Sequence, residues 1–265
     1  GHFGFPRLEV AGAAIATALG CFIAFLMSVQ SLVSPKSKLR LTLKKSWLPS
    51  REVLAPVGEI SFSAFVEQLC MRLGFFLYAL IVAGLGTKMF ATHQICMNIC
   101  NICFSCYDGF AAAAAALVGQ NLGRRRSDRA ECVTVICNRL AMTMAVLMVA
   151  GLILFRAPLI QMFTADPEII RLGSWIMILF ALSVPSLSAM TVYGGALRGA
   201  GDTRLIAVYA LVSTTIIRPA LSWLLCYPVG LGVIGPWIGL LVDFVLRFVL
   251  CRRRYQTGLW KQRVY

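Results

Sequence analysis

The chain has 265 residues, of which 59% are hydrophobic and only 14% are charged. Soluble domains average about 45–50% apolar and about 25% charged residues, so this composition excludes an ordinary soluble domain and indicates an integral membrane protein. The formal net charge of +14 would suggest nucleic-acid binding in a soluble protein. Here the basic clusters lie between apolar runs, as they do in membrane proteins, so we expect the lipid bilayer as a partner and no nucleic acid.

Apolar runs long enough to cross a bilayer as a helix, about 20 residues each, occur along the whole chain. They predict an all-α, polytopic transmembrane helix bundle with seven spans, at residues 9–33, 55–84, 90–118, 131–155, 169–196, 203–227 and 231–251. The intervening segments carry the glycines, prolines and charges that are typical of turns.

The distribution of Lys and Arg predicts the orientation of these spans. Most of them lie between the first and second spans, between the third and fourth, between the fifth and sixth, and after the seventh. Because basic residues collect in cytoplasmic loops, the N-terminus of this chain is expected outside and its C-terminus inside, in the cytoplasmic membrane of the cell.

The first span resembles the seventh, and this internal repeat predicts the domain organisation. Residues 8–27 align without gaps to residues 231–250, an offset of six spans, which preserves orientation as a parallel repeat requires. We therefore expect two six-span halves, of which this chain holds the last helix of one and all of the other. The predicted parts are 1–34, that last helix; 35–54, a basic cytoplasmic linker; 55–251, the six-helix lobe; and 252–265, a basic cytoplasmic tail.

A polar stripe runs along the third span, in "ATHQICMNICNICFSCYDGF". Its members recur at i, i+4, i+7, i+11 and i+14, on one helix face: Gln94, Asn98, Asn101, Ser105 and Asp108. Such a face predicts the lining of a hydrated cavity, and the alternative is hydrogen bonding to a neighbouring helix. Four cysteines share this helix, but a continuous helix cannot arrange four ligands around one centre, so no metal site is expected.

The second span carries ionisable residues inside its apolar run. Glu67 is an intramembrane carboxylate and therefore a candidate for carrying a proton or binding an ion. Gln68 and Arg72 share a helix face and are candidates for lining a substrate cavity, as is Arg218 in the sixth span. The alternative is an ion pair of Glu67 with Arg72 or Arg218 that only joins helices.

Three further polar residues within spans are expected to be structural. Asp243 and Arg247 have the i, i+4 spacing of an ion pair within the seventh span. His93, near the start of the third span, is expected to form hydrogen bonds at the membrane interface, although an imidazole can titrate near neutral pH.

The stretch "GGALRGAGDTR" separates the fifth and sixth spans. It lacks the Lys of a phosphate-binding loop and the preceding strand of a dinucleotide fingerprint. A helix–turn–helix fits better: Gly199 and Gly201 are expected to take positive φ angles and end the fifth span, and Asp202 or Thr203 to cap the sixth.

Several of these segments resemble the MATE (multidrug and toxic compound extrusion) family. "GALRGAGDT" is similar to the family signature between its tenth and eleventh helices, "AAALVGQNLGRRRSDRA" to its eighth-to-ninth loop, and "VEQLCMRLGF" to its seventh helix. The resemblance covers nearly the whole chain. It implies structural roles for Gly195, Leu197, Arg198, Gly199, Gly201, Asp202, Thr203, Gly119, Gln120 and Gly123.

The resemblance also implies a function. Two six-helix lobes would export organic, often cationic, drugs in exchange for H⁺ or Na⁺, without a further cofactor. Glu67 matches the acid that many members place in helix seven, whereas the segment "VPSLSAMTVYGG" lacks the acid that some members place in helix ten. One alternative is a lipid-linked oligosaccharide flippase of the same superfamily, using Arg72 and Arg218. Another is a membrane-embedded enzyme using Glu67, His93 and Asp108, although the chain contains no common hydrolase motif.

Overall fold

The computed structural model describes the backbone of residues 9–33 and 51–262. Side chains at 9, 10, 13, 31–33, 51–64, 66, 67 and 262 lie outside the description, so Glu67 is located only by its helix position. The chain divides into two compact units, Gly1–Glu59 and Ile60–Tyr265. The first contains α1 and the beginning of α2, and the second contains the remainder.

Helices account for almost all of the described residues, which include no β-strand. They are α1 (Glu9–Val33), α2 (Arg51–Ala83), α3 (Thr87–Gly123), α4 (Ser127–Leu154), α5 (Arg156–Gln161), α6 (Pro167–Gly199), α7 (Thr203–Leu211), a π-helical segment (Val212–Ile217), α8 (Arg218–Cys226), α9 (Ile234–Gln256) and a 3₁₀ turn (Leu259–Gln262). In the described part of the chain, five helical stretches are long and apolar enough to cross a membrane, and two shorter apolar ones lie in α1 and α2. The all-helical prediction is confirmed, whereas the seven crossings remain a prediction.

The core of the second unit is centred on α6, which packs against α3, α4, α5 and α9. Aromatic rings from three of these helices meet edge to face, a favourable arrangement for their quadrupoles. Phe104 of α3 contacts Phe180 of α6 and Phe244 of α9, and Phe180 also contacts Trp237 of α9. These contacts hold the three helices that carry most of the candidate residues.

Small residues allow α3 and α6 to approach with their backbones almost in contact. A Cβ atom on Gly195 would collide with the backbone of Ala111, and one on Gly199 with that of Ala115. Gly119 continues the seam, because its Cβ would lie 3.1 Å from the Gly199 carbonyl oxygen. Such seams are typical of helices packed within membranes, where close van der Waals contact drives association.

The structure differs from the sequence-based prediction in two places. The segment between the fourth and fifth spans contains a short helix, α5, where only a turn was expected. The sixth span is not one regular α-helix, because residues 212–217 widen into a π-helical segment directly before Pro219, where the Arg218 amide donates to the Ser213 carbonyl five residues earlier. Proline removes an i→i−4 hydrogen bond, and π segments inside helices are frequent at functional sites.

Candidate functional site

The polar stripe of α3 lies on the outer surface of the second unit. All five of its side chains are exposed: Gln94, Asn98, Asn101, Ser105 and Asp108. The opposite face of the same helix is buried and includes Cys96, Cys100, Cys103 and Tyr107. The stripe therefore does not serve packing within this unit, and it places an acidic group near the middle of a 37-residue helix.

Two of the three candidates on α2 also lie on the surface, and the side chain of the third, Glu67, is not described. Gln68 and Arg72 are exposed. Position 67 lies within α2, but the predicted role of Glu67 and its alternative ion pairs fall outside the described side chains. Arg218 lies over Phe75 and Tyr78, and Phe75 is eight residues, about 12 Å, farther along α2 than position 67.

Arg218 is enclosed in the core rather than exposed on a cavity surface. Only 2% of the residue is accessible, and its guanidinium carbon lies 4.1 Å from the ring centre of Tyr78 and 5.0 Å from that of Phe75. The structure therefore does not bring Arg218 and the exposed Arg72 to one surface, as the flippase interpretation assumed.

Aromatic rings extend this cluster across three helices. Tyr78 of α2 contacts His93 of α3 edge to face, with ring centres 5.3 Å apart, and His93 contacts Trp237 of α9 at 5.5 Å. His93 is only 4% exposed, and within the described part of the chain its Nδ1 has no hydrogen-bond partner. His93 therefore packs in the core, and its Nδ1 does not form the interfacial hydrogen bond that was expected. We call Phe75, Tyr78, His93, Arg218 and Trp237 the Arg218 cluster.

The cluster leaves an unusual number of polar atoms unsatisfied. Among the described residues, no hydrogen-bond partner is found for Arg218 Nε and Nη2, Tyr78 Oη, Trp237 Nε1 or the nearby Ser222 Oγ. Burying an ion costs several kcal/mol even after relaxation. A cation–π contact at a desolvated site contributes about 2 kcal/mol, so the two rings together offset a cost of the same order.

Sequence analysis identified Arg218 but missed the residues around it. The two rings over the guanidinium come from α2, and the rings that continue from Tyr78 come from α3 and α9; no spacing in the sequence links these helices. The available signal was local: an arginine followed by proline inside an apolar run, which marks both a buried charge and a distorted helix.

The predicted pair of Asp243 and Arg247 is confirmed. Arg247 Nη2 donates to the Asp243 carboxylate over 2.7 Å, and the carboxylate is fully buried. Ser213, in the π-helical segment, also donates to Asp243. This arrangement ties α9 to the irregular part of the sixth span and leaves Asp243 with a structural role.

The signature stretch forms the turn between α6 and α7. Helix α6 ends at Gly199, and the amides of Gly201 and Asp202 donate to the carbonyls of Arg198 and Leu197, both over 3.0 Å. This is a Schellman arrangement, in which Gly201 takes φ 80°. Gly199 does not take a positive φ, contrary to expectation, because its role is the close approach to α3.

Asp202 occupies the N-cap position of α7, as predicted, but its side chain makes no capping hydrogen bond, and Thr203 is the first residue of that helix. The Asp202 carboxylate instead accepts a hydrogen bond of 2.6 Å from Arg254 Nε, and the side chain is fully buried. Trp260 packs beside this pair on Tyr255, with ring centres 4.9 Å apart. The signature stretch is thus joined to the end of α9 and to the predicted tail, whose described residues include the 3₁₀ turn.

The second motif ends α3. Gln120 and Gly123 are exposed there, whereas Gly119 belongs to the seam with α6. The turn uses Arg125, which takes φ 57°, while the Arg126 amide donates to the Asn121 carbonyl over 2.9 Å. A left-handed conformation is uncommon for a residue with a side chain. Here Arg125 adopts it, and the nearby Gly123 does not.

Within the described residues, no three His, Cys, Asp or Glu side chains are close enough to hold a metal ion. The described cysteines are free thiols. The residues grouped in the membrane-enzyme interpretation are separated, because His93 is buried and Asp108 is exposed about four turns farther along α3.

The MatE family model matches residues 63–224, which is more than half of the chain. The chain belongs to the MatE family. The matched region extends from α2 into α8, so it includes the polar stripe, the signature turn and Arg218. Members of this family are transporters, not enzymes, which removes the membrane-enzyme alternative.

Curated MatE relatives match almost all of this chain. The probable multidrug resistance protein NorM of Thermotoga maritima is 28% identical over 99% of this chain and 56% of its own length. The multidrug resistance protein MdtK of Proteus mirabilis is 30% identical over 98% of this chain and 57% of its own length. The chain therefore spans a little over half the length of these relatives.

Solved structures show the same fold. An outward-facing multidrug resistance MATE family transporter of the MOP superfamily superimposes with a TM-score of 0.80, at 20% identity, over 94% of this chain and 56% of that one. A MOP superfamily transporter from Pyrococcus furiosus, described as having a binding pocket of reverse polarity, gives a TM-score of 0.81 at 19% identity, over 96% of this chain and 57% of that one. The MatE chain is thus an all-helical, multi-pass membrane protein.

Proposed function

We propose that this MatE chain is the C-terminal part of an ion-coupled exporter of organic, mainly cationic, drugs. Residues 55–251 would form one six-helix lobe, and 1–34 the last helix of the other. Transport would alternate the access of a central cavity between the two sides of the cytoplasmic membrane. The N-terminus of this chain would lie outside, with the basic loops and the C-terminus in the cytoplasm.

The observation that carries this proposal is the exposed polar stripe. Polar side chains in a membrane-spanning helix face a bundle interior or a wet cavity rather than lipid. The stripe faces away from the interior of its own unit, so a water-filled space or a second lobe must cover it. Asp108 gives this space a negative charge, which favours organic cations.

The coupling ion would act at Glu67, an ionisable residue within α2. Protonation of this carboxylate, or Na⁺ binding to it, would compete with a cationic substrate, which makes export depend on the ion gradient. Gln68 and Arg72, which share the exposed surface of α2, would line the same cavity.

The cavity is tested by efflux of ethidium from cells that express the full-length protein and lack their own exporters. Asp108→Asn should reduce efflux by about tenfold, the effect of losing one charged contact worth about 1.4 kcal/mol. Asp128→Asn is the matched control, since Asp128 is exposed in the first turn of α4, outside the stripe. Equal efflux by both variants and the unchanged protein would contradict the assignment of the cavity.

The coupling residue is tested separately. Glu67→Gln should abolish the dependence of efflux on an imposed H⁺ or Na⁺ gradient, whereas Glu131→Gln, on the exposed face of α4, should retain it. If Glu67→Gln transports with an unchanged ion dependence, the coupling acid lies elsewhere.

A further inference from the structure

A groove on the surface of the second unit lies between α5 and the first half of α6. It is an open cavity of about 310 Å³, at the end of α6 that lies opposite the signature turn. Small-molecule sites begin at about 300 Å³, so this cavity can hold a small head group. We call it the Arg156 groove, and it is lined by Arg156, Ala157, Arg171, Ser174, Trp175 and Ile178.

The two arginines of the groove are exposed cations. Arg156 begins α5, and Arg171 lies in the second turn of α6. Neither forms an ion pair with any carboxylate whose side chain the structure describes. The nearby acids Asp166 and Glu168 are engaged by Lys88 instead, at 3.6 Å and 2.8 Å. The groove therefore carries two positive charges that an anion can neutralise.

Glu67, whose side chain is not described, belongs to a different depth of the bundle. Lys88 joins the first turn of α3 to the first turn of α6, and α2 ends four residues before α3 begins, so the three helix ends lie at one face. Position 67 is sixteen residues, about 24 Å, from the end of α2, whereas Arg171 is four residues, about 6 Å, from the start of α6. The difference of about 18 Å is too large for a direct ion pair.

The helix face that continues from Arg171 becomes apolar with depth. Arg171, Trp175, Ile178 and Leu182 recur at i, i+4, i+7 and i+11, on one face of α6. Trp175 is 60% exposed and Leu182 is 69% exposed, so the second unit does not cover this face.

The length of α6 sets the depth of these side chains in a bilayer. Its 33 residues extend over about 50 Å, whereas the hydrocarbon core is about 30 Å thick. About 10 Å at each end therefore lies among the lipid head groups. Arg171 is then at head-group depth, Trp175 at the interface that tryptophan favours, and Leu182 beside the acyl chains.

This order of side chains matches the parts of an anionic phospholipid. Guanidinium groups recognise phosphate through charge-assisted hydrogen bonds, and the exposed indole can donate to ester or phosphate oxygens. Ser174 already donates to the Ile170 carbonyl over 2.7 Å, so the arginines are the main donors of the groove. Because no carboxylate lines the groove, it offers no partner to the ammonium group of a zwitterionic lipid.

We propose that the Arg156 groove binds one anionic phospholipid. Its phosphate lies between Arg156 and Arg171, and one acyl chain follows Trp175, Ile178 and Leu182. The lipid thereby joins α5 to α6 at the face opposite the signature turn. This site is separate from the polar stripe on α3, goes beyond the proposed drug export, and can be measured by binding alone.

The test is native mass spectrometry of the purified, delipidated full-length protein, titrated with dioleoyl phosphatidylglycerol or dioleoyl phosphatidylcholine. The first phosphatidylglycerol should bind at least tenfold more tightly than the first phosphatidylcholine. The double variant Arg156→Gln/Arg171→Gln should lose this preference. The control Arg124→Gln/Arg126→Gln removes two exposed arginines near the signature turn, at the other face, and should keep it.

Trp175→Ala tests the acyl-chain contact, and Trp223→Ala is its matched control, because Trp223 is 54% exposed on α8. Trp175→Ala should weaken phosphatidylglycerol binding about tenfold, since it removes a large apolar contact, and Trp223→Ala should not. All the substituted side chains are exposed, so the variants are expected to fold.

Glycerol phosphate, which carries the anionic group without acyl chains, should not displace the lipid at an equal concentration. Displacement would show a site for free phosphate and would overturn the proposal. Equal binding of the two lipids would also overturn it, as would equal losses of affinity in the groove variant and its arginine control, or in the two tryptophan variants.

Discussion

Replacing one glycine of the α3–α6 seam tests whether backbone contact between these helices holds the lobe together. In Gly195→Ala, the added Cβ would collide with the carbonyl oxygen of Ala111, which is backbone and cannot rotate away. The helices must therefore separate or shift. Overpacking of this kind costs about 1–3 kcal/mol.

The matched control is Gly151→Ala in α4. Both glycines lie inside helices, but a Cβ on Gly151 meets no atom within 4 Å. Alanine is favoured over glycine in a helix by about 0.8–1.0 kcal/mol, so this control should be neutral or stabilising. The two substitutions thus make the same chemical change with opposite expected signs.

The measurement is thermal unfolding of the full-length protein in detergent. A change of 1 kcal/mol shifts the midpoint by about 2–4 °C in a unit of 150–250 residues, so Gly195→Ala should lower it by about 2–12 °C. Gly151→Ala should not lower it. Equal midpoints for the two variants would refute the view that the glycine seam sets the distance between α3 and α6.

Three further predictions concern charged residues. Asp202→Asn leaves Arg254 without its 2.6 Å carboxylate partner, but Arg254 is 15% exposed and water can replace part of the interaction, so the substitution should cost about 1–3 kcal/mol of unfolding free energy; a variant as stable as the parent would contradict this. Arg247→Gln should destabilise the protein more than Asp243→Asn does. Arg247→Gln leaves the fully buried Asp243 carboxylate without its counter-ion, whereas Asp243→Asn leaves an arginine that is 14% exposed. The reverse order of stabilities would contradict a stabilising role for the pair. The Glu168 backbone N–H lowers the pKa of Asp166 below its ordinary value, so this carboxylate stabilises the fold above its unfolded-state pKa, and the contribution is lost as the pH falls through the folded-state pKa. Between about pH 7 and pH 3, the melting temperature should therefore fall less for Asp166→Asn than for the unchanged protein, and identical slopes would exclude this role.

Helix positions and helix ends could largely be predicted from the sequence, because they depend on local properties. Apolar runs predicted the positions of the long helices, the i, i+4 spacing predicted the pair of Asp243 and Arg247, and Gly201 predicted the turn after α6. The period of the polar residues in α3 also placed them correctly on one face, although it did not show that this face is the exposed one.

Contacts between distant parts of the chain could not be predicted in the same way. Asp202 is a residue type that often caps helices, but Arg254, a partly exposed arginine 52 residues later, takes its carboxylate. Gly199 is a residue type that is common in turns, but here its lack of a side chain lets the backbone of α6 come close to Ala115 of α3. The aromatic surroundings of Arg218 likewise depend on three-dimensional packing that no periodicity in the sequence records.

The central claim, that the stripe on α3 faces water, is tested most directly by thiol labelling in the full-length protein. Its exposed native cysteines are first replaced by serine, and Asn101→Cys is then compared with Ile102→Cys, the adjacent position, where the native side chain is 63% exposed. The proposed cavity predicts that a membrane-impermeant maleimide labels position 101 and not position 102, and that ethidium slows the labelling at 101. Labelling of position 102 but not of position 101 would show that the stripe is covered and that the cavity lies elsewhere.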